Sequence, residues 1–218
     1  AGTFKENLRV PKALSVHGAG EGSTIVMPSN SLPNPCAGSS LCGSATAATN
    51  LFLVESSNVT LSNLTLDGDD PTLGSGIDAR NGVIENYYVG TFNNTTVHHV
   101  TVQNIFLRGI YISSSGTGFN VHHNTVTNVA SDVSSLAMMN WGSVGTFAYN
   151  TVTNSADGIV SNHSRGTQVL NNDVHDCVNP DPETTVSSGI HAKFRSVSMI
   201  ASSCLPPPSV KGASLEFE

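Results

Sequence analysis

The amino-acid sequence predicts an all-β chain, wound as a right-handed parallel β-helix (a solenoid) of about seven coils with an irregular C-terminal tail. Three observations lead there. The composition suits short strands and turns: of 218 residues only 11% are charged and 6% aromatic, and Gly, Ser, Thr, Asn and Val dominate the rest. Amphipathic helices draw instead on Glu, Lys, Leu and Ala. Segments also recur at a period near 24 residues. Within each recurring segment, apolar and polar residues alternate, which is the periodicity of a strand with one buried face.

The repeats align in order. They are VTLSNLTLDG from Val59, TTVHHVTVQN from Thr95, NVHHNTVTN from Asn120, TFAYNTVTN from Thr146 and, more weakly, QVLNNDVHD from Gln168. Aligned, they stack one apolar column as Leu61, Val97, Val121, Phe147 and Val169, and a second as Leu66, Val102, Val126, Val152 and Val174. A third column is expected after a short loop, at Ile77, Ile110, Leu136, Ile159 and Ile190, usually behind a glycine (GSGI, LRGI, ADGI, SSGI). One copy cannot bury its apolar face alone. Stacked copies can, each strand pairing with its equivalent one coil up at about 4.8 Å. Asn124, Asn150 and Asn172 fall at equivalent bends between the first two columns. They are expected to hydrogen-bond along the axis and so satisfy polar groups that a bend buries.

The repeat extends through residue 192, and residues 1–192 are read as one β-helix domain. Residues 193–218 carry no Asn column and no Gly-Ile pair. They are read as an irregular or disordered tail, its closing SLEFE resembling a vector-derived scar. Pro206, Pro207 and Pro208 within it cannot donate to a ladder. With no capping element in the pattern, the solenoid reads as truncated. Open strand edges invite pairing with another chain, so a homo-oligomer, a dimer through the C-terminal end, is expected.

A formal net charge of -7 and the lack of a basic stripe argue against nucleic acid as a partner. No apolar run approaches the roughly 18 residues of a membrane span. No leader sequence stands at Ala1, so the chain is read as cytoplasmic or as the mature form of an exported protein. Cys36 and Cys42 share a Gly/Ser/Pro-rich loop, NPCAGSSLCG, and a local disulfide there fits export. The cysteine spacing matches no common zinc motif. Nucleophile-elbow, P-loop and dinucleotide-binding motifs are absent, and GAGEG at 18–22 reads as a turn.

The segment NVTLSNLTLDG, the Gly-Ile strands and the NxVxN copies resemble the right-handed parallel β-helix repeat proteins, the superfamily that includes pectate lyases. GTFKENLRVPKALSVHGAGEGSTIV is similar to the opening coil common among them, and the resemblance spans residues 2–192. It implies a bacterial protein of secreted or periplasmic origin. It also implies that sugars are held on the face formed by the Gly-Ile strands. Outward residues there are expected to be Asp78 and Arg80, Tyr111 and Ser113, Ala137 and Met139, Val160 and Asn162, and His191 and Lys193. Of these Asp78, Arg80, Tyr111, His191 and Lys193 are the candidate substrate-binding residues, and Arg80 and Arg108 could hold an acidic sugar. The acidic corner Asp67, Asp69, Asp70 and Asp78 would suit calcium, whose ligands are oxygens. Equally, LDGDD reads as an ordinary turn.

The second candidate site is made of histidines. Four of the eight occur as two pairs 24 positions apart, His98-His99 and His122-His123. In the alignment they are vertical neighbours, so a two-by-two patch of imidazoles is expected near one bend. Three of them with a water would meet the needs of catalytic zinc or another divalent transition metal, leaving His99 as a fourth ligand or general base. The competing reading is a solvated outer face that repeats because the segments are copies. The first reading is therefore a metal-dependent hydrolase of ester or phosphoester bonds, with a polysaccharide-active lyase or hydrolase and a non-catalytic extracellular scaffold as the alternatives.

Overall fold

A computed structural model describes residues 1–74 and 76–178, together with the backbone of 190–193 and 198–201. Among these residues there is no helix, and hence none long and apolar enough to cross a membrane. Strands form an eleven-stranded and a seven-stranded sheet, and every pairing in both is parallel. The architecture is all-β with stacked parallel turns, compatible with a solenoid.

In the larger sheet, register joins Leu61 to Val97, Val97 to Val121, Val121 to Phe147 and Phe147 to Val169. A second line joins Leu66, Val102, Val126, Val152 and Val174 in the same way. Both columns are buried and belong to a single core. The spacing along the first is uneven: 36 residues from Leu61 to Val97, then 24, 26 and 22 to Val121, Phe147 and Val169. Strand contacts fix the register, and the loops between strands absorb the difference.

Opposite lies the smaller sheet, whose inner column is Phe52, Val83, Ile110, Met138 and Ile159, each fully buried. Two of the five positions expected in this column are displaced. Val83 stands where Ile77 was expected and Met138 where Leu136 was. Ile77 precedes the strand Asn81–Glu85, and Leu136 pairs with Arg108 and Asp157 at the start of its strand. A Gly-Ile pair does not by itself mark the strand. At two rungs the residue just before the inward position has no room for a side chain, although Leu51 and Ala137 hold that place before Phe52 and Met138. A Cβ on Gly82 would lie 2.5 Å from the Gly109 carbonyl oxygen, and one on Gly109 would lie 2.3 Å from that of Ala137.

The bends explain the abundance of asparagine. Asn63, His99, His123, Tyr149 and Asn171 form one file at the bend of the larger sheet, all left-handed with φ between 52° and 56°. Asn104, Asn128 and Asn154 form another, with φ of 56°, 55° and 47°. Asn tolerates this region better than most residues with a side chain. Between the files runs a buried ladder. Asn124 Nδ2 donates to Asn150 Oδ1 at 2.9 Å, and Asn150 Nδ2 donates to Asn172 Oδ1 at 2.8 Å.

Parallel pairing continues past residue 192. Ser198–Ala201 lies alongside Gln168–His175, with Val169 opposite Met199. The triple proline, the closing SLEFE and the chain end on which association was expected lie outside the described residues.

Candidate functional site

Strand register sets Ser62, His98, His122 and Ala148 in one file. The residue after each histidine of the file is itself a histidine, and its left-handed backbone turns the chain outward. Both imidazoles of a pair therefore leave on the solvent side, where strand alternation alone would send them to opposite faces. The four rings form a two-by-two array. His98 lies parallel to His122, with ring centres 5.1 Å apart and planes 1° apart; His99 lies parallel to His123 at 5.2 Å and 3°. Tyr149 extends the outer stack, 5.0 Å beyond His123. Inside each pair the two Nδ1 atoms are 2.9 Å apart. Partial burial, followed by the nearby imidazoles of His99, His17 and His123, holds His98 below the ordinary histidine value. Burial and the three other rings do the same to His122.

As the rings are oriented, the array does not assemble the three-histidine zinc site that the spacing suggested. Among the described residues, no three His, Cys, Asp or Glu side chains converge as ligands for one ion. Catalytic zinc takes three protein ligands and an open position. Stacked rings one coil apart lie face to face, so their nitrogens do not aim at a common point.

The acidic corner is a turn that closes on itself. Asp67 accepts from Gln103 Nε2 and Asn104 Nδ2, both at 2.7 Å. Lys5 lies 2.9 Å from Asp70 and, with Thr72, holds its carboxyl below the usual range. Asp78, 2% exposed, accepts from the Asp70 backbone at 2.9 Å. These carboxylates are committed to Lys5, Gln103, Asn104 and the loop's own backbone, and no calcium set forms among the described residues.

Arg80 departs furthest from its expected role. It is 2% exposed and lies beneath the 33–42 loop, donating to Ser40 O, Pro33 O, Asn34 Oδ1 and Ser39 O. That loop is closed by the Cys36–Cys42 disulfide and is pinned onto the outer face of the smaller sheet. Its Leu41 packs there in a second apolar cluster with Leu53, Ile84, Tyr111 and Met139. Arg80 is thus a clamp and does not face a substrate. Arg80→Lys keeps the charge but cannot span four acceptors. It is expected to cost about 1–3 kcal/mol and to speed amide hydrogen exchange across 33–42 while the sheet strands stay protected, as read by mass spectrometry.

Beside the clamped loop lies an open cavity of ≈ 430 Å³. It is lined by Gly38, Ser39 and Ser40 from the loop together with Tyr87, Arg108, Tyr111, Ser113, Met139 and Trp141. Arg108 donates from Nε to Ser40 Oγ at 3.1 Å and from a terminal nitrogen to Ser134 O, and its guanidinium carbon sits 5.9 Å from the Tyr111 ring centre. Burial lowers its pKa to about 10, which leaves it charged at neutral pH. The same burial raises the Tyr111 phenol to about 12. Trp141, 38% exposed, stacks on His163 at 4.1 Å.

Of the residues expected on this face, Tyr111, Ser113 and Met139 line the cavity, whereas Asp78 and Arg80 do not. His191 and Lys193 are described by backbone alone, in register with Val160 and Asn162. Tyr87 and Trp141 were not singled out as groove residues by repeat alignment. The signal available was chemical: the chain's one tryptophan falls two residues after Met139, on the same outer face. No protein-family model matches the chain, and no curated protein or solved structure does so.

Proposed function

We propose that the cavity beside the disulfide loop binds an acidic polysaccharide. We further infer that the chain is a right-handed parallel β-helix of about seven coils, akin to the pectate-lyase-like repeat proteins. Parallel pairing between segments 22 to 36 residues apart supports the architecture. The observation that carries the ligand class is Arg108. It is charged, it lines the cavity, and the carboxylates of Asp132 and Asp157 nearby offset only part of the effect of its burial. A partly dehydrated cation that its neighbouring carboxylates do not fully compensate favours an anionic guest, and its planar fork suits a carboxylate or sulfate. Aromatic rings at the edges offer flat apolar surface for the C–H face of a sugar, and Ser39, Ser40 and Ser113 offer hydroxyls for its rim. The Cys36–Cys42 bond supports an oxidising compartment, secreted or periplasmic.

Binding is the function put forward, ahead of cleavage. Hydrolysis would require paired carboxylates, and the residues lining the cavity include none. A lyase would need its base from elsewhere, His191 or Lys193 being nearest in register. Hydrolysis of esters or phosphoesters at the histidine array is not carried forward, since a third ligand is missing there among the described residues.

Titration calorimetry with polygalacturonate oligomers and with a neutral galactan tests this reading. Acidic oligomers are expected to bind and neutral ones to bind weakly or not at all. Arg108→Gln should weaken acidic binding by about 10–100-fold, the worth of a charge-assisted hydrogen bond. Equal binding of both sugars, or an unchanged Arg108→Gln variant, would overturn it.

A further inference from the structure

We propose that each adjacent histidine pair is a two-nitrogen chelate for a tetragonal metal ion, copper(II) foremost. The sites are His98-His99 and His122-His123, on the larger sheet, away from the sugar cavity. This inference is independent of the glycan reading.

The argument is geometric. Two nitrogens 2.9 Å apart, each at the usual nitrogen–metal length of roughly 2.0–2.1 Å, subtend an angle of about 90° at the ion. That is the cis angle of square-planar and octahedral ions. Copper(II) and nickel(II) favour tetragonal nitrogen and oxygen surroundings, and copper(II) stands highest in general affinity. The Nδ1 atoms now face each other in a hydrogen bond. A turn of each ring about χ2, which also shifts the two nitrogens from their present separation, aims both lone pairs at one ion, and the shared proton moves to the solvent side as the protonated ring changes tautomer. Water fills the remaining positions.

The backbone prepares this bite. Left-handed φ at His99 (52°) and His123 (54°) brings the neighbouring rings to the same side. His99 and His123 are exposed and their partners half-buried, so an ion can reach both pairs. Because parallel rings are 5.1 and 5.2 Å apart, two bound dications would be close neighbours. Coulomb repulsion at that distance, even in a water-like medium, makes the second ion weaker on the order of a hundredfold.

Copper(II) titration, followed by calorimetry and electron paramagnetic resonance, tests the proposal. One tight ion per chain is expected, with two equatorial nitrogens in its spectrum, then a second ion about a hundredfold weaker. Zinc should bind at least tenfold more weakly than copper. Because Asn63 and Asn171 occupy the same file with the same backbone, H99N and H123N are substitutions that the fold itself already makes. H123N should retain one tight ion and lose the weaker step. H99N combined with H123N should abolish tight binding while the unfolding transition remains. Tight binding that survives in the double variant, a single-nitrogen spectrum, or zinc binding as tight as copper would overturn the proposal.

Discussion

Asn150→Ala is expected to lower the unfolding free energy by about 3–5 kcal/mol. The side chain is 1% exposed and uses its full amide. Oδ1 accepts from the Asn124 backbone at 3.0 Å and from Asn124 Nδ2 at 2.9 Å; Nδ2 donates to Val121 O at 2.9 Å and to Asn172 Oδ1 at 2.8 Å. Truncation leaves Asn124 donors and a Val121 carbonyl without partners in a dry bend, each lost partner costing about 1–3 kcal/mol. Asn150→Asp should be at least as damaging, because it turns a donor into an acceptor facing two oxygens. Asn154 stands at the other bend with a left-handed backbone and is exposed, so Asn154→Gly should stay within about 0.5 kcal/mol. Urea unfolding of the three variants settles the comparison, and equal costs at Asn150 and Asn154 would refute the ladder's role.

The second large effect is expected at Glu85, which ends the strand Asn81–Glu85 and is fully buried. Oε1 accepts from Thr95 Oγ1 at 2.7 Å, and Oε2 accepts from Ser114 N at 2.9 Å and Ser114 Oγ at 2.6 Å. Burial pushes the carboxyl pKa up, and these hydrogen bonds only partly oppose it. The fold therefore favours the protonated form. Its contribution is complete below the unfolded value, about 4.3 for Glu, and is lost as pH rises through the raised one. Glu85→Gln keeps the shape: its oxygen accepts from Ser114, and its nitrogen donates to Thr95 once that hydroxyl turns. This variant should match or exceed the parent at neutral pH, and the gap should close toward pH 4.5 with a slope of at most about 1.4 kcal/mol per pH unit. Glu85→Ala leaves three donors and a cavity, at about 3–5 kcal/mol. A gap between parent and Gln variant that does not change with pH would sink this account.

The columns of the larger sheet were legible because a period of two and a recurring Asn identify strand and bend together. Val97 over Val121 and Asn124 under Asn150 follow from alignment alone. Ile77 and Leu136 were misplaced because the loops before them differ in length, and a Gly-Ile pair in a loop looks like one that opens a strand. Arg80 was misread for another reason. Alternation says which face a side chain leaves from, but not whether something covers that face. The cover here is a loop some 40 positions earlier, and its attachment to the sheet depends on contacts such as Arg80 to Ser40. The histidine register could be read from the repeat, whereas the orientation of the rings could not. Ring orientation depends on the left-handed turn at His99 and His123, which the sequence shows only as a position that Asn fills in other copies.

The uneven 36-, 24-, 26- and 22-residue steps along the first column have an evolutionary meaning. Lengthening a flexible connection costs only about 0.6 kcal/mol per doubling. Such a scaffold can gain or shed loop residues without renegotiating its interior. New recognition surfaces can arise by insertion at the rim while the packed rungs beneath remain as they are.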